Sequence, residues 1–88
     1  MQLEADNLLK GVFSMFSEWL EETKNFTVKA AMDATSRLKR VQRLIDSEKI
    51  ESDVVSKLEN NDEFKSLSVT VKSQLRRTAR LYLEYLQK

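Results

Sequence analysis

The chain has 88 residues, with 15 basic against 14 acidic side chains, no histidine, no cysteine, no proline and one glycine, Gly11. That length fits one domain with a single core rather than a core plus a deep catalytic cleft, and an apolar fraction of 41% beside 33% charged residues fits a folded chain. The missing residues exclude disulfides, thiolate chemistry, the usual metal ligands, the usual neutral-pH base and glycine-rich phosphate loops, and without hairpin turn residues an all-α fold is expected.

The spacing of apolar residues predicts four helices. The first runs over about 5–22, where Leu9, Val12, Phe13, Phe16, Trp19 and Leu20 recur at three and four and Met15 lies off the stripe. Residues 23–27 break it, and Thr27 is the expected N-cap of the second helix, over about 28–46. Its inward stripe is Ala31, Ala34, Leu38, Val41 and Ile45. At about 100° per residue, Lys29, Ser36, Arg40 and Arg43 gather on the opposite side, with Arg37 and Lys39 at its edges.

An acidic connection leads to Ser52, the expected cap of a short third helix over about 53–59 that turns Val54, Val55 and Leu58 inward. Asn60-Asn61-Asp62 is expected to end that helix, because asparagine tolerates the left-handed conformation, and Phe64 and Leu67 to anchor the next connection. Ser68 caps the last helix, over about 69–87. Its inner stripe is Val71, Leu75, Thr78, Tyr82, Tyr85 and Leu86, with Ala79 at the edge, and Ser73, Arg76, Arg77 and Arg80 project outward. Trp19, Leu38 and Leu75 are expected to share one core. No apolar run exceeds three residues and no leader pattern is visible, so a soluble cytoplasmic protein is expected.

The near-zero net charge conceals a segregation. Residues 25–46 hold five basic and two acidic side chains, and residues 67–88 five basic and one acidic, whereas residues 1–24 and 47–66 are net acidic. Cations near a helix C-terminus interact favourably with its dipole, by about 0.3–1 kcal/mol each. That accounts for Arg43 but not for Lys72, Arg76 and Arg77, which lie in the first half of the last helix, where cations oppose the dipole. Glu84, four residues after Arg80, is the only acid on that helix. Arginine predominates in both clusters, which suits bidentate recognition of phosphate or guanine. A polyanion-binding face and a solvated or protein-facing surface both satisfy this pattern.

The other candidates read as packing or solvation. Trp19, with Phe13 and Phe16, sits on a helical stripe and reads as core rather than as a platform for bases. Tyr82 and Tyr85 lack the histidine and arginine cluster a phosphodiester-attacking tyrosine needs. Asp62 and Glu63, the densest acidic pair, read as solvated neighbours of a helix end rather than as metal ligands.

The motif order F-S-E-W-L (16–20), S-R-L-K-R-V (36–41), S-V-T-V-K-S-Q-L-R-R (68–77) and L-Y-L-E-Y-L (81–86) resembles the N-terminal core-binding domain of phage-type integrases, the tyrosine recombinases, from about Phe13 to Leu86. The resemblance implies a four-helix, SAM-like bundle with a short third helix. It also implies a non-catalytic role, clamping duplex DNA through the second and fourth helices while a separate C-terminal domain of the parent chain carries out cleavage. The implied DNA-binding residues are Arg37, Lys39, Arg40, Arg43, Lys72, Ser73, Arg76, Arg77 and Arg80, with Ser73 and Arg76 reaching base edges. No cofactor, metal or membrane is expected, and the domain alone is expected to be monomeric. The alternative is a helical protein–protein interaction module, whose arginines pair with an acidic partner and whose apolar anchor is Leu81 or Leu83.

Overall fold

A computed structural model describes residues 14–87. Among these residues the fold is all-α, as the sequence predicts: α1 is helical over 14–23, followed by α2 (Val28–Leu44), α3 (Val54–Glu59), α4 (Asp62–Lys65) and α5 (Val69–Leu86). The stripe positions Leu9, Val12 and Phe13 lie outside the described residues. The chain divides into two compact units between Thr35 and Ser36, within α2.

In the first unit Phe16, Trp19 and Leu20 are buried, with the two rings stacked 6.2 Å apart and 19° from parallel. The Lys24 ammonium lies 5.6 Å from the centre of the Trp19 ring, so this tryptophan is packed rather than open to a base. After α1, Asn25 takes the left-handed conformation (φ 59°), and the amides of Lys24 and Phe26 both donate to the Leu20 carbonyl. Thr27 then caps α2, its Oγ1 accepting from the Ala30 amide at 3.1 Å. Ala31 and Ala34 are buried, while Met15, Val28 and Met32 are exposed.

The second unit draws its core from Leu38, Val41, Leu44, Ile50, Val54, Leu58, Phe64, Leu75, Thr78, Ala79 and Tyr85. α2 stops at Leu44 because Asp46 turns left-handed (φ 53°). The Ser47 amide then bonds to the Gln42 carbonyl and the Asp46 amide to that of Arg43, the paired closure of a Schellman motif. Leu44, three residues beyond Val41, completes the buried stripe, and the predicted Ile45 is only half-buried. The left-handed residue expected at Asn60–Asn61, after α3, is not there: Asn60 is α-helical (φ −90°, ψ −2°) and Asn61 extended (φ −89°, ψ 126°).

Asn61 begins a helix instead. Its Oδ1 accepts from the Phe64 amide at 2.9 Å, and its Nδ2 donates to the Leu44 carbonyl at 2.8 Å. The connection before the last helix thus contains the extra single turn α4, which buries Phe64 as the sequence predicts. Replacing Asn61 by serine keeps a capping oxygen but cannot reach Leu44; alanine loses both hydrogen bonds. Taking about 1 kcal/mol for the cap and about 1 kcal/mol for a deserted carbonyl, N61A should cost about twice what N61S costs in chemical denaturation. Equal losses would mean that the cap contributes nothing, and an unaltered stability in N61S would mean that the bond to Leu44 contributes nothing.

α3 packs on both α4 and α5. Its N-cap is Asp53, not Ser52, and no side chain caps it; the Val54 amide donates to the backbone carbonyl of Glu51. Ser68 caps α5 as predicted, accepting from the Val71 amide at 3.2 Å. Along α5, Leu75, Thr78, Ala79 and Tyr85 are buried, Val71 and Tyr82 are half-buried, and Leu86 is 53% exposed rather than inward. The Thr78 hydroxyl, the buried polar group of this core, donates to the Gln74 carbonyl at 2.9 Å.

Candidate nucleic-acid interface

All nine residues expected to bind DNA lie in the second unit, on the second half of α2 and on α5. On α2, Ser36, Lys39 and Arg43 are exposed, while Arg37 and Arg40 are half-buried. Arg40 falls at the centre of the polar face by helical spacing, yet its Nε is shut away from water without a hydrogen-bond partner. On α5, Ser73, Arg77 and Arg80 are exposed.

Arg76 departs from the outward orientation expected of it. Its side chain is 29% exposed, its Nε, buried and making no hydrogen bond, lies at ion-pair distance, 3.3 Å, from Glu59 Oε1, and its guanidinium sits 5.4 Å above the Phe64 ring. The physical reason is the packing of α3 on α5: position 76 falls on the flank where α3 ends and Phe64 enters the core. Lys72, one turn earlier, follows the same flank, half-buried with its Nζ 3.5 Å from the Lys65 carbonyl. These two cations fasten α5 to α3 and α4, and the charge that faces water comes from the remaining positions.

Two of the three lysines of the acidic stretch are paired locally. Lys57 meets Asp53 at 3.7 Å and Lys65 meets Asp62 at 3.9 Å, in exposed pairs worth about 0–1 kcal/mol each. Among the described residues, by contrast, no ion pair involves Arg37, Arg40, Arg43 or Arg80, so the partner that Glu84 could offer Arg80 is not taken up. Close to Arg43, a surface hollow of about 300 Å³ is lined by Gln42, Arg43, Asp46, Ser47 and Glu48. Its two carboxylates make it a poor seat for an anion.

Sorting side chains by charge passes over one residue. Gln74 is exposed on α5 between Ser73 and Arg77, and no group among the described residues hydrogen-bonds its side-chain amide. A neutral side chain gives no charge signal; only its place in an otherwise cationic stretch marks it.

Tyr82 and Tyr85 pack against each other, ring centres 5.7 Å apart and tilted by 37°. Burial, and secondarily the neighbouring Tyr85, push the Tyr82 hydroxyl above its ordinary value of 10.0, so it is a neutral phenol at physiological pH. This is the opposite of an activated nucleophile. The sign for stability follows from proton binding: above about pH 10 the unfolded chain releases this proton before the folded one does. Stability should therefore fall as pH rises through that value, and Tyr82→Phe should flatten the decline in thermal melts between about pH 9 and 11. An unchanged alkaline limb in the variant would assign the decline to other groups.

No family model, no curated protein and no solved structure matches the chain. Among the described residues no three His, Cys, Asp or Glu side chains are grouped to hold a metal ion, and no helix is long and apolar enough to cross a membrane.

Proposed function

We propose that this chain is a non-catalytic duplex-DNA-binding domain, of the kind that forms the core-binding arm of an integrase. The outward cations of α2 and α5 neutralise phosphates, and the chemistry belongs to a separate catalytic domain of the parent chain. The observation that carries this reading is the contrast between two sets of cations. Lys57 and Lys65 in the acidic stretch are matched to carboxylates one turn away, while Arg37, Arg43 and Arg80 have no acidic partner among the described residues. Arginines left in this state contribute little to folding and remain available to an external polyanion.

The interaction-module reading keeps one specific footing. Its expected anchors, Leu81 and Leu83, are half-buried, but Val28 and Met32 are exposed one turn apart on α2.

Titrating a labelled nonspecific duplex by anisotropy at several salt concentrations tests the proposal. With about four phosphates neutralised, log K should fall against log[salt] with a slope near −4, and Kd should lie at about 10⁻⁴–10⁻⁶ M in physiological salt. Absence of salt-dependent binding at millimolar protein overturns the DNA reading and leaves the interaction module.

A further inference from the structure

Charge and exposure part company along α5. Over residues 69–76, its first two turns, the two cations are drawn into the flank held by α4 and α3: Lys72 reaches toward the Lys65 carbonyl, and Arg76 lies against Glu59 and Phe64. The face left to solvent in those two turns consists of Val69, Thr70, Ser73 and Gln74, with Val69 76% exposed. From Arg77 onward the exposed face becomes cationic, with Arg77 and Arg80. A surface made only to neutralise phosphates gains nothing from an uncharged, methyl-bearing stretch. A helix that begins with methyls, a hydroxyl and a carboxamide and then turns basic matches a duplex differently. Its first two turns suit base edges, and the turns that follow suit the backbone.

The dimensions and chemistry agree. The major groove of B-DNA, about 12 Å wide, admits an α-helix of about 10–12 Å diameter. Thr70 and Gln74 are one turn apart, with Cβ atoms about 5–6 Å from each other, so their side chains can meet neighbouring base pairs. A carboxamide presents a donor and an acceptor side by side, the complement of the N6 and N7 edge of adenine, and a methyl group packs against the C5-methyl of thymine. Gln74 is exposed, and its side-chain amide is not engaged within the described residues.

We propose that the first two turns of α5 are a sequence-reading element that enters the major groove, with Gln74 reading an adenine and Val69 and Thr70 lying against a thymine methyl of an adjoining pair. This rests on the duplex-DNA function proposed above and assigns that surface a base preference.

The test is selection of duplexes from a randomised pool by the full 88-residue chain. Anisotropy titrations of the selected duplex, and of versions with single pairs exchanged, then follow for the unaltered chain, Gln74→Ala and Gln74→Arg. The selected duplexes should share a fixed A·T pair whose exchange weakens binding by about fivefold to a hundredfold. Q74A should lose that discrimination while keeping the slope of log K against log[salt], and Q74R should shift the preference at that pair toward G·C. Salt-dependent binding with no enriched pair overturns this inference and leaves the DNA-binding function standing. A uniform loss of affinity in Q74A with a shallower salt slope overturns it too, since Gln74 would then serve the backbone. No binding to any duplex overturns both.

Discussion

Replacing Arg37, Arg43 and Arg80 together by glutamate should weaken duplex binding by at least about 10²-fold at physiological salt. The salt slope should flatten by nearly 3, because each phosphate no longer neutralised removes about 0.9 from it. Helical content should be unchanged, since none of the three arginines holds an ion pair within the described residues. The matched control is the glutamate triple at Lys49, Lys57 and Lys65. It breaks the surface pairs with Asp53 and Asp62, at a cost of about 0–1 kcal/mol each, and should affect DNA far less. Equal losses in the two triples would show diffuse attraction with no dedicated face. Arg76 stays out of the first set for a structural reason. A glutamate there would face Glu59 and present a carboxylate to the Phe64 ring, so its effect on binding could not be separated from unfolding.

The second large effect concerns the core. Leu38 and Leu75 are fully enclosed, and truncating either to alanine should cost about 2–5 kcal/mol by lost transfer energy and the cavity left behind. For a domain of this size that is a fall in Tm of roughly 10–30 °C. Leu86, inward by the sequence pattern but 53% exposed in the structure, should tolerate alanine within about 0.5 kcal/mol. Tolerance at Leu38 or Leu75, measured by thermal and denaturant unfolding, would mean that the inward faces of α2 and α5 are wrongly assigned.

The long helices are legible in the sequence because their signals are local and repeated. The stripe Ala31-Ala34-Leu38-Val41 and the caps Thr27 and Ser68 all stand where pattern and capping chemistry put them. The misses have tertiary or very short-range causes. The four-residue α4 offers no period to detect, and Asn61 reads equally well as a helix stop or a helix start until its carboxamide is seen bonded to Leu44. The left-handed stop at Asp46 carries no glycine to mark it, and aspartate, one of the few other residues that adopt this conformation, occurs in many other settings. Within the candidate site, α2 and α5 are identifiable as cationic from composition alone. Which cations α5 turns toward α3 depends on where Glu59 and Phe64 come to rest, and no spacing within α5 encodes that. Gln74 is hidden in the sequence because an uncharged residue becomes conspicuous only once its neighbours on the same half of the helix are known to face elsewhere.

The bond from Asn61 to the Leu44 carbonyl has a kinetic consequence. It ties the last turn of α2, which carries Arg43, to the start of α4, and α4 in turn packs on α3, which packs on α5. The two groups of cations therefore belong to one unit whose internal degrees of freedom were surrendered during folding. Little further ordering entropy is lost when such a surface meets a rigid polyanion. Association should then resemble the docking of preformed bodies, its rate governed by electrostatic attraction at long range and screened by salt, rather than by a slow rearrangement after encounter.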